Sequence, residues 1–163
     1  MHKAKELLLL SHFRKNARSS LTKISRRTSI PVSTIFDKLK NYEQSIIVKH
    51  TSLLNFRSLG YDLKVHIFLA VNKDQRDTLK SHLLTHQRVN SVYRVNNGFD
   101  FLCEAVFTNL EDFDAFMTEL ESYPILSKQE YFILEDIARE SFMSHDSSFE
   151  TMKLPELLAG RTL

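Results

Sequence analysis

The hydrophobic period of this chain changes once, near residue 62, and that change sets two separate folding problems. Before it, apolar residues recur at helical spacing: Leu9, Leu10, Phe13 and Ala17 in a segment (4–16) without Gly or Pro, then Leu21 and Ile24 with Thr28, then Ile35, Leu39 and Tyr42. After it, Leu63, Val65, Ile67, Leu69 and Val71 alternate at period two, as a strand with one face in a core requires. The first part is therefore expected to be helical and the second to build a sheet.

Punctuation residues place the boundaries. Ser19 and Ser20 offer N-cap oxygens for a short second helix over 21–28, and Ser29, Ile30 and Pro31 break it. Pro31 suits the first turn of a third helix over 31–42, because its missing N–H has no intrahelical partner there. Ile46 to Val48 is a short β-branched run, expected to be the small strand of a winged helix. Gly60 marks a turn before the sheet. A helix is expected over 75–85, a strand over 89–95, a turn at Asn96-Asn97-Gly98, a strand over 101–107, a helix over 110–121 and a last strand over 127–134. That order is βαββαβ, the ferredoxin-like pattern. The expected class is α+β: a winged helix-turn-helix domain in 1–50, a linker in 51–62, a ferredoxin-like domain in 63–137 and a flexible tail in 138–163. The second face of the first strand carries His66, Phe68 and Ala70, a set that is not purely polar. Helices cover one side of such a sheet, so a partly apolar open side fits sheet-to-sheet dimerisation and scattered surface apolar residues equally well.

Charge separates the halves as sharply as periodicity does. Residues 1–57 hold 12 Lys and Arg against 3 Asp and Glu, giving +9, whereas 58–163 hold 10 against 17, giving −7. The basic half suits a polyanion. In a helix-turn-helix, one helix crosses the phosphate backbone and the next presents short polar side chains to the major groove. Ser33, Thr34, Lys38 and Asn41 suit base edges or phosphates, and Asp37 can accept from a cytosine amino group. Arg18, Lys23, Arg26, Arg27 and Lys40 suit phosphates, which give affinity without sequence reading. Double-stranded DNA is the expected partner. No apolar run approaches the ~18 residues of a membrane helix, and the single Cys103 allows no internal disulfide. A cytoplasmic, nucleoid-associated protein is expected.

Signals for an enzyme are weak. His82 and His86 have the i, i+4 spacing that can hold a metal on a helix, but no Cys or carboxylate stands near enough in sequence to support them. They are read as surface histidines, and neither metal nor cofactor is expected. Cys103 lies among apolar residues with nothing beside it to activate the thiol. Glu111, Asp112 and Asp114 read as charge at a helix start. Three Gly in the whole chain leave no Gly-rich phosphate loop. Exposed turns on rigid scaffolds often bind small molecules, yet Asn96-Asn97-Gly98-Phe99-Asp100 taken alone reads as a plain hairpin.

Taken together, Asn16 to Ser20, Lys23-Ile24-Ser25, Ile30 to Ile35, Lys38 to Glu43 and Ile47-Val48 resemble, without a gap, the helix-turn-helix of the Lrp/AsnC regulators. Leu59-Gly60, Asn97 to Leu102 and the strand ending near Leu134 resemble that family's ligand-sensing domain, so the likeness covers about 4–137. The resemblance implies a transcription regulator that dimerises through its sensing-domain sheets, often assembles to tetramers or octamers, and binds partly symmetric operators. It also implies an amino acid or similar effector between subunits near Gly98, which turns Asn96, Asn97, Gly98, Phe99 and Asp100 into an expected effector site. Two residues depart from the family pattern: Ser29 and Ile46 stand where Gly is usual. Sirohaem decarboxylases share this two-domain build, and His66 and Arg94 are the residues that would have to converge on a porphyrin carboxylate. A third reading is an effector- or partner-binding module that no longer binds DNA.

Overall fold

The computed structural model describes residues 3–144, which fall into two compact units. One holds the described residues up to Ser52 together with 138–144, and the other spans Leu53–Ile137.

The first unit contains α1 (Lys3–Lys15), α2 (Leu21–Thr28) and α3 (Val32–Ser45). Leu9 and Phe13 of α1, Ile24 of α2, and Ile35 and Tyr42 of α3 bury their side chains together with Ile30 from the turn. Ser20 caps α2, its Oγ accepting from the Lys23 N–H at 3.3 Å. Ser29 closes α2 in the left-handed region at φ 54°, and its N–H donates to the Ser25 carbonyl at 2.9 Å. That conformation costs an L-residue with a Cβ roughly 1 kcal/mol, a cost that glycine avoids. Ile46, by contrast, sits at φ −114° and needs no glycine.

Two expectations for this unit change. Pro31 is the cap residue of α3 rather than a residue of its first turn, and α3 runs on to Ser45 because nothing after Tyr42 stops it. The expected wing strand at Ile46–Val48 does not form. Ile47 folds back, donating its N–H to the Tyr42 carbonyl at 2.7 Å and packing on the helical core, while Val48 is 96% exposed. A strand needs a ladder partner, and no described segment pairs with this run. Of the expected tail, residues 138–144 are described. There Glu140 pairs with Arg14, whose Nε donates to the Phe142 carbonyl at 3.3 Å. Residues 145–163 lie outside the described residues.

The second unit contains β1 (Leu63–Val71), α4 (Arg76–Thr85), β2 (Val89–Arg94), β3 (Phe101–Phe107), α5 (Leu110–Leu120) and β4 (Ile125–Phe132). The strands form one antiparallel sheet in the order β2-β3-β1-β4. Ile67 stands opposite Cys103 and Leu69 opposite Phe101, so the odd-numbered positions of β1 and β3 share a face. Leu79 and Leu83 of α4 and Phe116, Met117 and Leu120 of α5 pack on that face. Asn109 caps α5 by accepting from the Asp112 N–H at 2.9 Å. β4 lies two residues earlier than its expected 127–134, because a register shift at Ala70/Val71 lets Ile125 pair with Val71.

The left-handed Ser29 generates a stability prediction. Ser29→Gly should raise the melting temperature by several degrees, as about 1 kcal/mol does in a small domain, whereas β-branched Ser29→Val should lower it. Thermal melts followed by circular dichroism measure this, and a drop for the Gly variant would mean that the turn carries no strain.

Candidate nucleic-acid interface and effector turn

Ile35, Leu39 and Tyr42 fix the rotation of α3, since they point into the helical core. At 100° per residue, the opposite ridge is then Ser33, Asp37, Lys40, Asn41 and Gln44, with Phe36 at its margin, and all six are exposed. Thr34 is half-buried at the edge of this ridge. On α2 the buried Ile24 and Thr28 turn Lys23, Arg26 and Arg27 outward, and Arg18 is exposed in the turn before it. The exposed residues of α2 and α3 carry five cationic or hydroxyl-bearing groups named from sequence (Lys23, Arg26, Arg27, Ser33 and Lys40), against two acids, Asp37 and Glu43.

Lys38 differs from its expected role. Its Nζ lies 2.6 Å from Glu6 Oε1 on α1, and both side chains are partly buried, so it ties the first helix to the third. Burial, with the Glu6 charge adding to it, pushes the neighbouring Tyr42 hydroxyl up to about 12. Sequence reasoning selected polar residues and so passed over Phe36, which is 49% exposed with Lys40 Nζ 5.4 Å above its ring. The spacing signal was present: Phe36 lies one turn before Lys40, about 100° round the helix from Ile35.

The β2–β3 connection forms the expected turn, with Asn97 at φ 60° and Gly98 at φ 87° and the Val95 N–H donating to the Asp100 carbonyl at 3.2 Å. Its five residues do not act as one group. Asn96, Asn97 and Gly98 are exposed, Phe99 is half-buried with its ring 5.5 Å from that of Phe68, and Asp100 is 6% exposed. Asp100 Oδ2 accepts from the Val71 N–H at 2.8 Å, and Oδ1 lies 2.7 Å from Arg76 and 3.3 Å from Arg94. Its carboxylate is thus consumed in joining the turn to the end of β1 and the start of α4. An effector at this turn would meet the backbone and amides of residues 96–98.

The uncovered face of the sheet carries Phe68, Tyr93, Leu102 and Tyr131, with Phe68 edge-on to Tyr131 at 5.7 Å. His66 also stands there, 2.9 Å from Glu104 Oε2, and Asn90 donates to Glu104 Oε1 at 2.5 Å. Burial alone would raise the Glu104 carboxyl, but the bonds from His66 and Asn90 and the Lys64 charge outweigh it and hold the group below its ordinary range. Arg94 pairs with Phe101 in the ladder and His66 with Glu104, three residues on, so the two side chains leave opposite faces. The fold therefore does not bring His66 and Arg94 together on a porphyrin carboxylate. Cys103 is buried in the core, and burial, reinforced by Glu104, pushes its thiol up to about 12, which leaves it an unreactive packing residue at neutral pH. A cavity of about 360 Å³ lies between residues 53–64 and 133–136, and no residue of the Asn96–Asp100 turn lines it.

Residues 64–141 match the family described as the Lrp/AsnC ligand binding domain. The chain is 29% identical over 129 residues to the uncharacterized HTH-type transcriptional regulator PH1692 of Pyrococcus horikoshii, covering 78% of this chain and 87% of that one. It is 25% identical over 117 residues to the HTH-type transcriptional regulator FL11 of Pyrococcus abyssi, covering 71% and 78%. Among solved structures, the transcriptional regulator NMB0573 of Neisseria meningitidis, in complex with L-Met, superposes with a TM-score of 0.78 at 24% identity, covering 85% of this chain and 93% of that one. E. coli AsnC superposes with a TM-score of 0.74 at 14% identity, covering 85% and 96%. These solved structures share the fold: a helix-turn-helix followed by a ferredoxin-like domain.

Two substitutions test the charge networks. Asp100→Ala should destabilise the sheet unit by about 2–4 kcal/mol, because it strips Arg76 and the Val71 N–H of their acceptor at a buried site; urea unfolding reads this as a lower midpoint at unchanged slope. Glu104, held ionised in the folded state, contributes stability that is present above the unfolded carboxylate pKa of about 4.3 and is lost as pH falls through its lower folded value. The stability difference between the wild type and Glu104→Gln should accordingly shrink as pH falls below about 4.5, and a difference that keeps growing below that pH would reverse the assignment.

Proposed function

We propose that this chain, whose residues 64–141 match the Lrp/AsnC ligand binding domain, is a transcription regulator of that family, and that a homodimer of it binds double-stranded DNA by laying α3 in the major groove. The observation that carries this reading is the pairing of a buried helical seam with an outward ridge of Ser33, Asp37, Lys40, Asn41 and Gln44, edged by Phe36 and flanked by the cations of α2. Lys23, Arg26 and Arg27 supply sequence-independent attraction to phosphates, and the ridge reads base edges. A single short helix reads only a few base pairs, so specificity requires a second copy.

The uncovered sheet face supports pairing of two copies. Phe68, Tyr93, Leu102 and Tyr131 form an aromatic and aliphatic patch, and the same patch on a twofold-related copy is complementary to itself. Two recognition helices related in this way favour half-sites about 10 base pairs apart, or a multiple of that spacing. Tetramers or octamers and nucleoid association follow as further expectations of the reading.

An effector acts by favouring one assembly, and it can do so only if it binds the alternative states unequally. The NMB0573 complex holds L-Met, which makes a free amino acid the leading class of effector. The exposed amides and backbone of Asn96, Asn97 and Gly98 offer donors and acceptors for the ammonium and carboxylate of such a molecule.

Binding to a short fragment of the protein's own upstream DNA, titrated with salt, tests the reading. Arg27→Ala with Lys40→Ala should weaken binding and flatten the salt dependence by about two counterions, while Lys38→Ala should act mainly through lowered stability. A folded dimer that binds no DNA at low salt would overturn the proposal and favour a module that has lost this activity.

A further inference from the structure

His82, in the last turn of α4, and His86, the extended residue that follows the helix, acquire in the fold the partner that the sequence withheld. Glu119, in the last turn of α5, places Oε1 3.4 Å from His82 Nε2 and Oε2 3.3 Å from His86 Nε2. A ligand atom from each of the three residues lies within 4.8 Å of the others. His82 Nε2 is buried yet makes no hydrogen bond, since its approach to Glu119 lacks the required alignment. The cluster opens on a cleft of about 400 Å³ lined also by Thr85, Gln87 and Arg88.

From this geometry we propose that His82, His86 and Glu119 form a binding site for a divalent transition-metal ion of the zinc type, distinct from the DNA ridge and the effector turn. Two imidazoles and one carboxylate are a donor set that suits zinc and its neighbours and not Mg²⁺ or Ca²⁺, which prefer all-oxygen sites. Three protein ligands leave the fourth tetrahedral position to water, which the cleft admits.

The backbone favours a cation at the same place. α4 ends at Thr85 and α5 at Leu120, so the cluster sits by the negative ends of two helix dipoles. Glu119 is an acid in a last turn, where the dipole opposes it, and a bound cation would offset that repulsion. Arg88 does not compete, because its guanidinium lies 2.7 Å from Asp112. One rearrangement is required. His86 Nδ1 accepts from the Arg88 N–H at 3.1 Å, and a neutral imidazole that gives Nε2 to a metal carries its proton on Nδ1. Loading therefore breaks that contact at the entry to β2.

Calorimetric titration of the full chain with Zn²⁺, after chelator treatment and desalting, tests the site. One ion per chain should bind, the melting temperature should rise with it, and Co²⁺ should give the intense visible bands of a four-coordinate site. Glu119→Gln and His86→Gln should each weaken Zn²⁺ by roughly 100-fold or more, at or beyond the upper end of what loss of an outer-shell partner costs. Glu119 is 49% exposed, so its Gln variant should melt like the wild type without metal, which separates a lost ligand from a lost fold. Absence of Zn²⁺ binding by the wild type, or binding that both variants retain unchanged, would overturn the proposal.

Discussion

Helices α4 and α5 cover one face of a four-stranded sheet and leave the other bare, and the pairing proposed for two copies rests on that asymmetry. Alternation in β1 makes it unavoidable. Val65, Ile67 and Leu69 face the helices, so His66, Phe68 and Ala70 must face away. Burying the first set against Leu79, Leu83, Phe116 and Leu120 supplies the hydrophobic gain that holds the unit together, at about 1.5–3 kcal/mol for each large side chain. The second set is then free to be used between chains.

The elements were largely legible because each is fixed by local chemistry. Leu21–Thr28, Leu63–Val71 and Phe101–Phe107 were bounded correctly, for Ser20, the period-two run and the Asn-Gly turn each act within a few residues. Two of the misplacements share one cause, which is that pairing decides them. Ile46–Val48 has β-branched residues but no described strand to lie beside, so Ile47 packs on the helices instead and Val48 stays exposed. β4 is placed by a register shift at Val71, more than fifty residues away, which no window around Ile125 can reveal.

The sites were legible to a lesser degree, because a side chain's task depends on what the fold sets against it. Lys38 and Lys40 are two residues apart and look equivalent in sequence. Their directions differ by about 200° around the helix, so one meets Glu6 and the other meets solvent and the ring of Phe36. Asp100 reads as a polar turn residue, yet two arginines and a backbone N–H draw it inside. Glu119 is thirty-three residues from His86, and only the packing of α5 beside α4 brings it close.

These contacts give α4 a particular mechanical position. At its first residue, Arg76 is held by Asp100, the residue that closes the candidate effector turn. At its other end, His82 and His86 meet Glu119, and the His86–Arg88 contact leads directly into β2. β2 returns along the sheet to Arg94, which meets Asp100 again. Helix and strand thus form a closed circuit of ten and six residues with a charged clasp at each end. A ligand that alters one clasp does work on the other only if the circuit has two arrangements of similar energy, and linkage then requires the effect to be equal in both directions. The short, well-packed span between the clasps, with Leu79 and Leu83 fully buried, favours a rigid shift of α4 over a local loosening, since a packed core resists continuous deformation.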